Sequence, residues 1–319
     1  MKIELDDKKT MFKDLKVEII IPTLNEEGTI KEILQSIRAQ SLPVEVSVLV
    51  IDGGSTDHTV DICKKENVKV IRQKSKGKGR AMKEAAEYSN AHVLVFIDGD
   101  GTYSVGDLRS LLEPILSDEA DMVVGSRMMG EREEGSMSLF NTLGNKLFNG
   151  AINFALHSKV TDSLTGYRAI RKSMFDDLVL FSDNFEIEVE ITVDSLAKGY
   201  RIYEVPIKYG KRKGSPTKLH PLNDGMKIAR TLFFILMNVS PIKFFSIISL
   251  VFFIAGLNPA IYVLNEKITT GDIVHMPSVV FASLLFVTGA LSLVIGLVSE
   301  LIVRSRRRLE YLISKKLKI

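Results

Sequence analysis

The chain has 319 residues, room for one large domain or two, and its 42 Lys and Arg against 39 Asp and Glu leave a formal net charge of only +3. So slight an excess gives no ground for a nucleic-acid partner, and the lone Cys63 excludes an internal disulfide and fits a reducing compartment. The apolar residues are unevenly spread. Residues 1–230 carry charge throughout, whereas Ile242–Leu264 is uncharged apart from Lys243, and Ser278–Val303 carries only Glu300.

In chain order, Met1–Lys16 is charged and lacks the apolar stretch of a signal peptide, which predicts that the first half stays in the cytoplasm. Glu18–Ile21 reads as a buried strand ended by Pro22, and Thr29–Arg38 as a helix with Ile30, Ile33, Leu34 and Ile37 on one face. Val44–Ile51 is the next strand and runs into Asp52-Gly53-Gly54-Ser55-Thr56-Asp57. A helix over Thr59–Glu66, a strand over Val68–Ile71 and a helix over Lys78–Ser89 follow. His92–Ile97 is a strand that empties into Asp98-Gly99-Asp100. Val105–Leu116 is helical, and the strand Asp121–Val124 closes the series. Short loops between alternating strands and helices predict a mostly parallel sheet with helices on both faces. Each loop of unusual chemistry follows a strand's C-terminal end, where open α/β sheets bind ligands. Asn25, Glu26, Asp52, Asp57, Asp98 and Asp100 therefore fall along one rim.

Asp-Gly is also an ordinary turn dipeptide. Two carboxylates one residue apart at a strand end, however, call for a counter-charge, and a hard divalent cation carried by a phosphate-bearing substrate suits them. Asp52–Asp57 has its own plain reading, a turn followed by a helix cap. Further on, Ser138–Leu156 spaces Leu139, Leu143, Leu147, Ile152 and Phe154 between Asn141, Asn145, Asn149 and Asn153. That pattern suits a helix packed by its leucine side on the core, or one lying on a bilayer; core packing is the commoner arrangement. Phe185–Leu196 is a helix, Ile202–Val205 a strand, and Leu222–Met237 a bridging juxtamembrane segment within about 222–240. Glu186, Glu188 and Glu190 recur at spacing two, cannot share a helix face, and carry no chemistry on that reading.

The two apolar stretches, 242–264 and 278–303, are each long enough to cross about 30 Å of hydrocarbon at 1.5 Å per residue. The loop between them holds Lys267 beside Glu266 and Asp272. The 305–319 tail and its approach hold Arg304, Arg306, Arg307, Arg308, Lys315, Lys316 and Lys318. Basic residues stay in the cytoplasm, which predicts a multi-pass membrane protein: a hairpin with both ends inside, a cytoplasmic catalytic domain over 1–230, and a basic cytoplasmic tail near anionic lipid.

Four runs of this chain, Ile20-Ile21-Pro22-Thr23-Leu24-Asn25-Glu26, Val50–Asp57, Gly77-Lys78-Gly79 and Phe96–Asp100, resemble the nucleotide-sugar motifs of glycosyltransferase family 2, in the same order. Gly125-Ser126-Arg127, Asp162–Arg168, and Arg212-Lys213-Gly214 leading to Thr217-Lys218-Leu219 resemble its polyprenyl-phosphate branch, which includes dolichyl-phosphate mannosyl- and glucosyltransferases. The resemblance covers roughly 16–225 and implies a GT-A fold with a Rossmann-like sheet, followed here by a two-helix membrane hairpin. It implies that Pro22, Asn25, Glu26, Asp52, Asp57, Lys78, Asp98 and Gly99 bind the donor, UDP-glucose, UDP-GlcNAc or GDP-mannose. Asp98 and Asp100 would hold Mn2+ or Mg2+. Mannosyl relatives often place a Gln two positions after the second Asp, where this chain has Thr102.

The acceptor implied is a polyprenyl or dolichyl phosphate. Its second pKa of about 6 leaves it ionised, so it needs cations more than a base. Arg127, Arg168, Arg212 and Lys218 would form that cradle, each otherwise a plain surface charge. Asp162 would orient the acceptor or act as a base, otherwise a helix cap, so Asp100, Asp162 and Arg127 are the expected catalytic set. Three alternatives compete. A processive polysaccharide synthase would carry a Gln-x-x-Arg-Trp signature, and the chain has no Trp. A nucleotidyltransferase would carry a Gly-rich loop where Pro22–Glu26 stands. A non-catalytic, membrane-anchored nucleotide-sugar binder would not need the paired aspartates. A homo-oligomer is compatible with all of these readings.

Overall fold

The computed structural model describes residues 15–212, 233, 237 and 240–317. Lys218 and nearly all of the 222–240 bridge lie outside the described residues. The chain divides into two compact units, Met1–Ile228 and Ala229–Ile319.

In the first unit, β1 (Lys16–Thr23), α1 (Ile30–Arg38), β2 (Glu45–Asp52), α2 (Thr59–Lys65), β3 (Lys69–Arg72), α3 (Lys78–Tyr88) and β4 (Val93–Phe96) alternate as the spacing predicts. A single 3-10 turn, Val105–Asp107, leads into α4 (Leu108–Leu116), then β5 (Met122–Ser126) and α5 (Leu139–Leu156). The unit continues with β6 (Arg168–Arg171), α6 (Lys172–Asp177), α7 (Ile187–Lys198) and β7 (Ile202–Pro206).

Among the described residues the strands form one sheet in the order β3-β2-β1-β4-β6-β5-β7. Both faces are covered, which is why β1 and β4 are continuous apolar runs. Alternation along the pleat sends Ile19 and Ile21 towards the side of α1 and α4, with Ile33, Leu34, Leu111 and Leu112. Ile20 goes to the other side, with Met82 of α3, Phe175 of α6 and Ile187 and Ile191 of α7.

Two topological features position the site. The chain runs outward from β1 to β2 and β3, then returns to place β4 on the other side of β1, with β1 parallel to both neighbours. The strand order thus reverses between β1 and β4, and their C-terminal ends open the crevice typical of such a switch point. The second feature is β6, antiparallel to both β4 and β5, with Phe96 opposite Arg168. An antiparallel strand brings its beginning, not its end, to the rim, so β6 delivers Gly166, just ahead of it, beside Asp98. The four residues of β6, bracketed by Arg168 and Arg171, give no usable period and do not predict a strand. Helix α5 turns Asn145, Asn149 and Asn153 towards the protein and leaves Leu139, Leu143 and Leu147 exposed, so the core packing expected of its leucine side is corrected.

In the second unit, α8 (Pro241–Thr270) begins with Pro241 in its first turn and ends at Gly271, whose φ of 81° is left-handed. Then α9 runs over Met276–Leu317. Segments Pro241–Thr270 and Met276–Arg306 are long and apolar enough to cross a membrane. The two helices meet along glycines: Gly256 faces Phe286, Gly289 faces Ser249 and Phe253, and Gly296 faces Phe245. Small residues of this kind let helices approach closely where lipid supplies no hydrophobic drive. Both helices outlast the predicted apolar stretches, since good helix formers continue α9 past Val303 and Glu300 pairs with Arg304 at 3.1 Å.

Candidate active site

The rim is built from two loops that lock each other. Asp52 is buried at the end of β2 and accepts from the Gly54 and Ser55 amides and the Ser55 hydroxyl. Ser55 Oγ in turn accepts from the Asn25 amide at 2.9 Å, and Asn25 Oδ1 accepts from the Thr56 amide at 2.8 Å. Asn25 does this at a φ of 58°, a conformation asparagine tolerates. Asp57 Oδ1 takes the Thr59 amide and hydroxyl at the start of α2, and its Oδ2 takes the Glu27 amide at 3.1 Å. The plain reading of Asp52–Asp57, a turn and a cap, is what their carboxylates do. Their effect on the crevice is to hold Leu24–Glu27 at its lip.

Four carboxylates and two cations meet in the crevice. Lys78 Nζ lies 2.5 Å from Asp98 Oδ1 and 2.7 Å from Glu188 Oε1. Burial alone would lower the Lys78 ammonium, but Asp98 and Glu188 outweigh it and push its pKa up, so the side chain stays charged. Across the crevice Arg212 reaches Glu26 Oε1 at 3.0 Å and Asp100 Oδ2 at 3.7 Å. Glu26 has its carboxyl raised: burial is the main cause, Arg212 pulls the other way, and Asp100 and Asp98 push it further up. Asp100 is fastened from behind by Thr102, whose amide and hydroxyl donate to Oδ1 at 3.1 and 2.7 Å. Thr102 is therefore a brace for Asp100, with its hydroxyl already committed. Gly99 donates no side chain; its carbonyl accepts from Thr29, and Thr23 packs against the place a Cβ would fill. Gly166 passes close enough that a Cβ would sit 2.7 Å from Lys78 Nζ and 2.9 Å from Asp98 Oδ2.

Arg127 and Asp162 form a separate buried pair. Arg127 Nε and Nη2 bond both carboxylate oxygens, at 2.7 and 2.8 Å, and its amide adds a third bond to Oδ2. Asn145 donates to Asp162 Oδ1 at 2.9 Å. Burial alone would raise the Asp162 carboxyl; Arg127 and Asn145 overcome it and hold it below the usual range. An anion with this many donors is a poor base, so the expectation that Asp162 takes a proton is corrected to one of holding Arg127. Arg127 also stacks its guanidinium 5.3 Å from the Tyr209 ring.

Arg168 requires a second correction. It is fully buried and donates to the carbonyls of Thr165 and Glu188, at 2.5 and 2.9 Å, so it cannot meet a phosphate at the surface. It shapes the Asp162–Gly166 loop from beneath. Glu188, dismissed on its spacing, is buried in α7 and anchors Lys78, while Glu190 takes the Phe181 and Ser182 amides. Only the tertiary packing of α7 against α3 distinguishes these glutamates. Tyr103 was also missed: its buried hydroxyl accepts from the Gly166 amide at 2.9 Å.

The profile described as Glycosyl transferase family 2 matches residues 18–179. The chain belongs to glycosyltransferase family 2. Glycosyltransferase AglJ of Haloferax volcanii is 35% identical over 292 residues, 91% of this chain and 94% of that protein. The same organism's dolichyl-phosphate hexose transferase is 33% identical, across 69% of this chain and 93% of its own length. Among solved structures, a glucosyl-3-phosphoglycerate synthase from Mycobacterium tuberculosis, complexed with Mn2+, UDP-glucose and phosphoglyceric acid, superposes with a TM-score of 0.59. At 22% identity, covering 74% of this chain and 83% of the other, it attests the GT-A-like fold. The C-terminal ends of β1 and β4 lie within the matched residues of this glycosyltransferase.

Proposed function

We propose that this glycosyltransferase moves one hexose or N-acetylhexosamine from a nucleotide diphosphate-sugar to a polyprenyl, dolichyl-type phosphate at the cytoplasmic membrane face, with inversion at the anomeric carbon. The observation that carries the reading is the crevice in which Glu26, Asp98 and Asp100 converge with Lys78 and Arg212. Names among the relatives point the same way, including a UDP-N-acetylglucosamine–dolichyl-phosphate N-acetylglucosaminyltransferase of Methanococcus voltae, 31% identical over 61% of this chain.

Among the described residues no three His, Cys, Asp or Glu side chains form a ready metal site. Asp98 and Asp100 nevertheless supply the all-oxygen donors that Mg2+ or Mn2+ prefers, and such ions commonly take one or two carboxylates and complete their shell with substrate phosphates. A divalent ion there would neutralise the diphosphate as it leaves. Lys78 already lies against Asp98 and would turn towards the donor's phosphates. Asn25 and Glu26 line the lip where the nucleoside would rest, with Pro22, Asp52 and Asp57 setting its shape.

The acceptor's phosphate oxygen attacks the anomeric carbon from the side opposite the diphosphate. The carbon–oxygen bond to the nucleoside diphosphate breaks, and the leaving group keeps the electron pair. No base is required, because the monoester is already ionised. That agrees with Asp162 being saturated by donors. Arg127, Arg212 and Lys218 remain as the acceptor's cations. The helices α8 and α9 would anchor the enzyme beside its lipid substrate, and the Arg-rich flank after Val303 would keep both ends in the cytoplasm.

Purified enzyme, supplied with polyprenyl phosphate and labelled UDP-glucose, UDP-GlcNAc or GDP-mannose, should form one lipid-linked product. Asp100→Ala should abolish it without unfolding the protein, as should excess chelator on the parent, reversibly with Mn2+ or Mg2+. Absence of product from every donor would overturn the reading, and full activity in chelator would remove the metal from it.

A further inference from the structure

The loop between α6 and α7 is tightly fastened, and it holds an aromatic ring out of the core. Glu190 accepts from the Phe181 and Ser182 amides at 2.9 and 2.8 Å, and the Arg80 amide donates to the Asp183 carbonyl at 3.2 Å. Arg80 and Lys83 both hold the Asp183 carboxylate. Just after these anchors, Phe185 is 72% exposed, with its ring 5.6 Å from Lys78 Nζ. One exposed apolar side chain calls for no explanation by itself. The place of this one does, because its ring leans on the ammonium that Asp98 and Glu188 share.

Glu188 is 3% exposed, and its Oε2 is buried with no hydrogen-bond partner. Its Oε1 has Lys78 Nζ at 2.7 Å. When Lys78 turns to the donor's phosphates, as proposed above, Glu188 is left a buried carboxylate without that cation, an unfavourable state unless hydrogen-bond donors take the cation's place. Gly166 keeps the space open, since a Cβ there would lie 2.7 Å from Nζ. The newcomer must therefore offer donors to Glu188 and an apolar face to Phe185. A pyranose has both: hydroxyls around its rim, and polarised C–H bonds that suit the negative face of an aromatic ring. An ionised phosphate has no donor to give, and an isoprene unit would suit Phe185 while leaving Glu188 unpaired. We propose that Glu188 and Phe185 recognise the transferred sugar: Glu188 accepts hydrogen bonds from its hydroxyls as Lys78 moves off, and Phe185 packs against its C–H face. The inference rests on the donor reading above, and the test keeps the two apart.

Calorimetric titration of the full-length enzyme in Mn2+ would compare UDP-glucose and UDP-GlcNAc with UDP, and GDP-mannose with GDP. Glu188→Gln should weaken the sugar-bearing donor about 10- to 150-fold, the worth of a charge-assisted hydrogen bond. Phe185→Ala should weaken it about 2- to 10-fold. Both variants should change the affinity for the bare nucleoside diphosphate much less. A Glu188 that acts only by holding Lys78 would weaken both ligands alike, and that result overturns its role. Because Phe185 is exposed, its variants avoid the folding risk of a buried substitution. The chain contains no tryptophan, so Phe185→Trp reports on this position alone. Its emission should change with the nucleotide-sugar and not with the nucleoside diphosphate. An equal response to both, or a response to polyprenyl phosphate in place of the sugar donor, overturns the inference and leaves the donor reading standing. No binding of any donor or diphosphate by the parent enzyme overturns the donor reading, and the inference with it.

Discussion

Asp162 is inaccessible to solvent and holds its charge chiefly through Arg127, with Asn145 assisting. Removing one partner of such a pair strands the other, a loss of about 3–5 kcal/mol, whereas replacing both with apolar groups is far milder. Arg127→Met should therefore lower the denaturation midpoint much more than Arg127→Met combined with Asp162→Leu; equal losses would mean that the pair is not the unit of stability. The Asp162 carboxyl sits below its ordinary value of about 3.9, so its contribution is complete above about pH 5 and fades as pH falls through the lowered value. The penalty of Asp162→Asn measured at pH 7 should accordingly shrink towards pH 3. Arg168 and Arg212 make a second contrast. Arg168→Ala should destabilise the protein, since it uncaps the buried carbonyls of Thr165 and Glu188. Arg212→Ala should leave the melting midpoint unchanged and raise the lipid-phosphate requirement about 10- to 150-fold, the worth of one charge-assisted hydrogen bond. Equal midpoints for the two variants would sink the distinction.

At the scale of elements, α3 is placed by glycines that carry no chemistry. Gly77, at a φ of 113°, and Gly79 both lie against the 182–184 backbone, where a Cβ on Gly79 would come 2.6 Å from the Ser182 carbonyl. Backbone cannot give way as a flexible side chain can. Gly79→Ala should cost about 1–3 kcal/mol and tilt the first turn of α3, so that Lys78 no longer meets Asp98 and Glu188 together. Calorimetric titration with nucleoside diphosphate should show weaker binding; an unchanged affinity would mean that Lys78 does not depend on this contact. Gly166→Ala differs in kind, because its Cβ would meet only the movable ends of Lys78 and Asp98. It should perturb binding with little loss of stability.

For the molecule as a whole, the first unit holds a complete sheet with a packed core on each face, and every residue proposed to bind the donor lies within it. A chain ending at Ile228 should fold and bind nucleoside diphosphate, while using membrane-embedded lipid phosphate poorly, because proximity to the bilayer is lost. Loss of donor binding in a truncated protein that retains its circular dichroism would contradict that division of labour.

What the sequence alone determined was whatever is local. Apolar period and turn residues set β1 to β5 and their helices to within about three residues, and uninterrupted apolar runs set α8 and α9. The acidic rim followed as well, because parallel strands must send their C-terminal ends to one edge. Contacts between distant segments were decided only by the tertiary structure. Nothing local separates Glu188 from Glu190, or Arg168 from Arg212; burial against α3 and beneath the Asp162 loop does. The direction of β6, and with it the arrival of Gly166 beside Asp98, depends on long-range pairing with Phe96 that four residues cannot encode by period. The sense of α5 was undecidable for the same reason. An amphipathic pattern fixes two faces, but which one turns inward depends on what waits there, and here it is a loop of polar groups that asparagines can satisfy and leucines cannot.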